Sequence, residues 1–221
     1  MPAVLSRKRL IRSASRPRRQ AERTEATRQR LLQAAECIFA RDGFEASRLE
    51  DIVARAGYTR GAFYAHYDSK EDLLFDLMER FVNEKVGNLR AILAQAGDSV
   101  GRWQALRAYY SRMACDRRWA LLSMEFKLFA IRHPAARQRL ALRYRRLREP
   151  GLTLMTQLLE EQGRDLPVSI HAATVALGAA ANSLLIESLV DHKALSEKEI
   201  PILLSLVFDA VLGMPSRTDR R

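Results

Sequence analysis

Residues 27–74 read TRQRLLQAAECIFARDGFEASRLEDIVARAGYTRGAFYAHYDSKEDLL. In the first third, Leu31, Leu32, Ala35, Ile38 and Phe39 recur at three- and four-residue intervals, the apolar stripe of an amphipathic helix. Thr27 is placed to cap that helix and Gly43 to stop it. SRLEDIVARAG then predicts about two turns with Leu49, Ile52 and Val53 inward. Ser47 stands at the cap with Glu50 three residues on, a capping box. Gly57 ends this helix, Thr59 caps the next (RGAFYAHY), and Asp68 or Ser69 caps a fourth through KEDLLFDLMERFVNEKVGNLRAIL. Two very short helices joined by a glycine turn, between two longer ones, are the layout of a helix-turn-helix.

The residue types on the third helix suit nucleic acid. A helix opening with Thr59-Arg60-Gly61 offers free N–H groups to a phosphate. Gly61 lets the backbone approach closely, and Arg60 can fork onto guanine or phosphate. Tyr64 shares the exposed face, His66 and Tyr67 sit at the helix end, and Lys70 is a point charge suited to phosphate. Arg48 offers a further phosphate contact. Residues 24–75 carry seven Lys/Arg against nine Asp/Glu, so affinity in this stretch must come from a few placed contacts rather than from net charge.

The order and spacing of Ala34-Ala35, Phe39, Gly43-Phe44, Ser47, Asp51-Ile52, Ala56-Gly57, Thr59, Gly61, Phe63-Tyr64, His66-Tyr67, Ser69-Lys70-Glu71 and Leu73-Leu74 resemble the DNA-binding domain of the TetR family of bacterial transcriptional regulators. Departures are small: Tyr58 where Val is usual, Arg48 where Ser or Thr is common, Val53 where Ala is common. Together the residues and the resemblance mark Thr27, Ser47, Arg48, Thr59, Arg60, Gly61, Tyr64, His66, Tyr67 and Lys70 as DNA-contact positions. Beyond Leu74 the resemblance is one of layout only.

The rest of the 221 residues is helical in pattern as well, with no alternating strand signal. Helices are expected over Ser99–Ala114, over RRWALLSMEFKLFAIR with Asp116 as cap, and over Ala135–Gln162 with Pro150-Gly151 as a kink. Two more follow, one opened by Pro167 and one capped by Ser196 and Glu199. The expectation is an all-α chain of about nine helices. A flexible basic arm (1–23) precedes a three-helix DNA-binding domain (24–75), a helical effector-binding and dimerisation domain (76–214) and a C-terminal tail (215–221). The arm holds eight Lys/Arg against Glu22 alone, a charge that can lie along phosphates.

In the family, the later helices bind a small effector and pair two subunits through a four-helix bundle. The resemblance therefore implies a repressor released from a palindromic operator on double-stranded DNA, active as a homodimer. The dimer helices are the last two: one carries Ala176, Gly178, Ala179, Ala180 and Ala181, and IPILLSLVFDAVLG is apolar on nearly all faces. Aromatic and Met residues of the middle helices are core or pocket lining. Tyr109, Met113, Trp119, Glu125, Phe126 and Phe129 are the pocket candidates for a small apolar or amphipathic effector. Glu125 is exposed, paired with Arg139 or Arg143, or a polar anchor in the cavity. The arginine run Arg143, Arg145, Arg146 and Arg148 reads as a solvated face.

Composition narrows the alternatives. Thirty-seven Lys+Arg against 26 Asp+Glu give a net charge of +11, which favours an anionic polymer as partner. Cys37 and Cys115 are too few for a disulfide scaffold. No Gly-rich phosphate loop, metal-ligand spacing or Ser-His-Asp arrangement is present, so neither an enzyme nor a cofactor is expected. No apolar run reaches the length of a membrane span and the start lacks a signal h-region, which points to a cytoplasmic protein. The rival reading is an effector-independent DNA-binding protein of nucleoid organisation or division control, which would lack a pocket.

Overall fold

The computed structural model describes the backbone of residues 4–212 apart from 162 and 164, and side chains from Gln20 onward apart from 139, 140, 143 and 147. Among the described residues there are nine α-helices and no strand. They are α1 (Val4–Asp42), α2 (Leu49–Ala56), α3 (Arg60–Tyr64), α4 (Lys70–Gln95), α5 (Ser99–Met113), α6 (Arg117–Arg132), α7 (Pro134–Glu161), α8 (Ile170–Val190) and α9 (Ile200–Val211). The chain divides into two compact units, Met1–Leu77 and Met78–Arg221. The expected tail at 215–221 lies outside the described residues, as do the side chains of Arg139 and Arg143.

In the first unit the apolar stripe of α1 is buried as its spacing predicts: Leu31, Leu32, Ala35, Ile38 and Phe39. Phe39 meets Phe44 edge to face at 5.2 Å. Ile52 and Val53 of α2, Phe63 of α3 and Leu73, Leu74 and Leu77 of α4 are buried in the same unit. The turn between α2 and α3 depends on Gly57, whose φ of 76° lies in the left-handed region. Its N–H and that of Tyr58 bond back to the carbonyls of Ala54 and Val53, closing the last turn of α2.

Four local expectations are corrected. α1 does not begin at a Thr27 cap after a flexible arm but runs as helix from Val4. The Arg, Leu, Ala, Gln and Glu of residues 4–26 are good helix formers, and the downstream helix is already nucleated. Ser47 does not cap α2; Arg48 holds the cap position without a side-chain bond. α3 stops at Tyr64 after five residues, so His66 and Tyr67 follow it, and so short a helix accumulates little dipole for a phosphate. Pro167 does not open α8, which starts at Ile170 with the Ser169 side chain accepting from the Ala172 N–H.

The second unit is built on one apolar cluster that includes Trp103, Leu106, Tyr110, Leu177, Leu185, Leu204 and Phe208. α6 starts where expected, with Asp116 accepting from the Trp119 N–H, and ends at His133 before Pro134. α8 is long and apolar enough to cross a membrane by length and composition, contrary to the expectation that no run reaches that length. Its Ala173, Leu177, Ala181 and Leu185 are instead buried in the cluster.

Candidate nucleic-acid interface and effector cavity

Thr59 makes the cap predicted for it, its Oγ1 accepting from the Ala62 N–H at 3.3 Å. That bond starts α3 and leaves Arg60, Gly61 and Tyr64 exposed. Tyr64 presents 52% of its surface, unusual for so large a ring, while the adjacent Phe63 is fully buried and anchors the helix. The Arg60 guanidinium hydrogen-bonds Tyr64 and lies 3.0 Å from Glu50 on α2. The Tyr64 bond and then the Glu50 charge hold its pKa above the usual arginine range. A Cβ added at Gly61 would meet only Thr59 Oγ1, at 3.7 Å, so nothing within the protein requires glycine there. Arg48 is exposed and His66 half-buried.

Other expected contacts have structural roles. Ser47 is buried and its hydroxyl donates to the Phe44 carbonyl at 2.7 Å. The Lys70 ammonium donates to the carbonyls of Phe44 (2.7 Å), Ser47 (2.8 Å) and Glu45 (3.3 Å), and sits over the Phe44 ring. Three protons on three carbonyls fasten the α1–α2 loop to the start of α4. Burial pushes the Lys70 pKa down, the mark of a cation turned inward. Thr27, half-buried, donates to the Arg23 carbonyl at 3.0 Å and lies 3.3 Å from the Tyr58 hydroxyl.

Tyr67 is 7% exposed, and its hydroxyl donates to Asp76 at 2.5 Å. Asp76 is itself buried and takes both arms of the Arg28 guanidinium, Nε at 2.7 Å and the second through Nη2. Burial first, then the bond to Asp76, raises the Tyr67 pKa, so its proton stays in place. One carboxylate thus ties α1, the turn that follows α3, and α4. Sequence reasoning missed Arg28 and Asp76; the available signal was an acid inside the apolar run LLFDLM.

The second unit contains a cavity of about 280 Å³. Val82, Lys85, Val86 and Leu89 of α4 line it together with Tyr109, Tyr110 and Met113 of α5, Trp119 and Lys127 of α6, and Tyr144, Arg148, Gly151 and Leu152 of α7. Thr174, Val175, Gly178, Ala179 and Asn182 of α8 complete the wall. Of the expected pocket residues, Tyr109, Met113 and Trp119 are there. Glu125, Phe126 and Phe129 are not among the lining residues; Phe126 and Phe129 are buried, packed on Tyr144 and His133. The lining also corrects the solvated reading for Arg148, which belongs to the wall, while Arg145 and Arg146 are exposed as expected.

Several lining groups are already engaged. Tyr109 donates its hydroxyl to the Lys85 carbonyl at 2.9 Å, and Asn182 donates to the Ser123 hydroxyl at 3.0 Å. Lys85 pairs with Asp116 at 2.7 Å. Burial raises the pKa of Tyr109 and Tyr144 and pushes that of Tyr110 up to about 12. All three therefore stay neutral hydroxyls at physiological pH.

A short exposed helix after a glycine turn is the layout of a helix-turn-helix DNA-binding domain, and the second unit adds a helical body with a cavity. The profile of the bacterial regulatory proteins of the tetR family matches residues 31–77, so this stretch is similar to the DNA-binding domain of that family. It is 35% identical over 79 residues to the HTH-type transcriptional repressor KstR2 of Rhodococcus jostii, a stretch covering 36% of this chain and 39% of that protein. The fold extends further. The fatty acid degradation regulator FadR from Bacillus halodurans superposes with a TM-score of 0.65 at 19% identity, over 86% of this chain and 97% of its own. FadR from Bacillus subtilis in complex with stearoyl-CoA gives 0.65 at 13% identity, over 85% and 99%.

Proposed function

We propose that the chain is a ligand-responsive repressor that binds a near-palindromic operator as a homodimer in the bacterial cytoplasm and leaves it when a small effector fills the cavity. The observation that carries this reading is α4. Its Leu73, Leu74 and Asp76 are buried parts of the first unit, and its Val82, Lys85, Val86 and Leu89 line the cavity of the second. An occupant that repacks the cavity wall shifts this helix, and Asp76 passes the shift to Tyr67 beside α3. A ligand acts in this way only through a difference in affinity between the two arrangements.

Arg60 and Tyr64 are the proposed base and phosphate contacts, with Gly61 allowing the backbone to come close. The proposed dimer surface is the apolar side of α9 that faces solvent, Ile202, Leu203 and Leu206, with Val190 and the exposed alanines of α8. Exposed apolar side chains in such a row mark an interaction surface. The repressor name of the Rhodococcus relative and the stearoyl-CoA in the Bacillus subtilis structure support regulation by a ligand. The cavity weighs against an effector-independent nucleoid or division protein.

The test is to recover bound DNA from the genome, then titrate that site with and without ligand. We expect a dimer on a near-palindrome with half-sites about one helical turn apart. Saturating ligand should weaken binding roughly 5- to 150-fold. A bound ligand that leaves operator affinity unchanged, or a monomer as the binding species, would falsify the proposal.

A further inference from the structure

Among the described residues three cations line the cavity, Lys85, Lys127 and Arg148, and no carboxylate does. Lys85 is neutralised by Asp116 at 2.7 Å and lies over the Trp119 ring. Among the described residues Arg148 lies over one π-face, the Tyr144 ring, at 5.5 Å, and pairs with no acid. Lys127 is half-buried, and among the described residues no acid pairs with it. Two like charges on the wall of a largely apolar cleft are each disfavoured by burial and by one another. Among the described residues no counter-ion offsets that cost.

Resting on the reading of this cavity as the effector site, we propose that its occupant is an amphipathic anion. Its apolar body packs on Val82, Val86, Leu89 and Leu152, and its carboxylate or phosphate head lies between Lys127 and Arg148. Burial first, and then the Arg148 charge, hold the Lys127 ammonium below the usual lysine range; an anion placed between the two offsets both effects. A neutral ligand would leave the pair uncompensated, and a cation would add a third like charge. The neutral hydroxyls of Tyr109 and Tyr144 and the Asn182 amide add uncharged polar groups to the lining. The modest volume, near the lower end of ligand clefts, fits a single short chain or small ring system.

The experiment uses the full-length protein and four probes of one chain length, below their micelle concentrations: decanoate, decyl phosphate, 1-decanol and decylammonium. Binding is followed by calorimetry and by the fluorescence of Trp119, which lines the cavity. At least one anion should bind roughly 10- to 100-fold more tightly than 1-decanol, the range for a charge-assisted hydrogen bond, and decylammonium should bind weakest. Lys127→Met and Arg148→Met, which keep side-chain bulk, should bring the anion close to the alcohol; Arg148→Lys should retain the preference. Far-UV circular dichroism shows whether the variants fold, and the wild-type ranking decides the question if one does not. Equal or tighter binding of 1-decanol, tightest binding of decylammonium, or no saturable binding of either anion overturns the assignment. The measurement needs no DNA. Selective anion binding that leaves operator affinity unchanged sinks the release mechanism and keeps the anion site, whereas release by neutral apolar compounds alone does the reverse.

Discussion

In Met1–Leu77 the two short helices bury few apolar side chains, Ile52, Val53 and Ala56 of α2 and Phe63 of α3, and directional polar contacts fasten the segments that flank them. Lys70 donates to three loop carbonyls, Thr59 caps α3, and Asp76 gathers Arg28 and Tyr67. In Met78–Arg221 the corresponding task falls to an apolar cluster around Leu177, Leu204 and Phe208, and several polar side chains turn toward a cavity instead. Length explains the contrast. A five-residue helix such as α3 buries Phe63 alone and lacks the apolar face to fix its own orientation, so hydrogen bonds must set it. Helices of 12 to 28 residues, as in α5 to α9, bury enough surface to pack without them and can leave a void where a ligand fits.

The largest expected effect follows from the apolar side. Phe208 is 1% exposed, with Trp103 and Tyr110 rings at 5.6 and 5.7 Å. Phe208→Ala should cost about 3–5 kcal/mol by lost burial plus a cavity, read as a lower urea midpoint in tryptophan fluorescence. A loss below about 1 kcal/mol would mean that the second unit does not depend on this cluster.

Next comes the carboxylate that ties the first unit. Asp76→Ala strands a buried tyrosine hydroxyl and removes the partner of Arg28, and should cost about 2–4 kcal/mol. The Arg28 side chain keeps 40% of its surface in water, which holds the figure below that of a fully buried pair. Tyr67→Phe, which removes one bond only, should cost about 1 kcal/mol. Thermal unfolding of the two variants gives the ratio, and equal losses would show that Arg28 contributes nothing.

A smaller effect separates two roles for one lysine. If Lys70 fastens the loop, Lys70→Met should lower stability by about 1–2 kcal/mol and leave the salt dependence of operator binding unchanged. If it reaches a phosphate instead, the log–log salt slope should shrink by about one unit.

What the sequence reveals divides along the same line. The buried stripe of α1, the Gly57 turn, the Thr59 cap and both ends of α6 are local signals, since cap, stripe and stop lie within a few residues of each other. The Lys70 cage is not local: its three acceptors are backbone groups of a loop that meets the lysine only once α1, α2 and α4 have packed. Asp76 sits inside an apolar stripe, where periodicity assigns the neighbours and says nothing of a lone acid's partners. Lys127 and Arg148 belong to different helices, the first within a mostly apolar run and the second within an arginine run that reads as a solvated face. Only packing of α6 against α7 and α8 puts them on one wall.

The smallest change in stability carries the sharpest test of the polar unit. Gly61 sits in the first turn of α3, and an added methyl would meet only Thr59 Oγ1 at ordinary contact distance. Replacing glycine by alanine in a helix raises stability by up to about 1 kcal/mol, because the unfolded chain loses freedom. Gly61→Ala should therefore leave the melting temperature unchanged or slightly higher. Operator affinity should nevertheless fall, because the methyl stands where the backbone would meet the duplex. Arg60→Ala is the companion variant: its exposed side chain contributes little to the fold, but its loss should change the preferred base as well as the affinity, by roughly tenfold or more. Gly61→Ala should weaken binding to all sequences alike, since it blocks approach rather than reading a base. If Gly61→Ala binds the operator as tightly as the wild type, α3 does not come close to the duplex through its first turn, and the interface must be sought on another face of the unit.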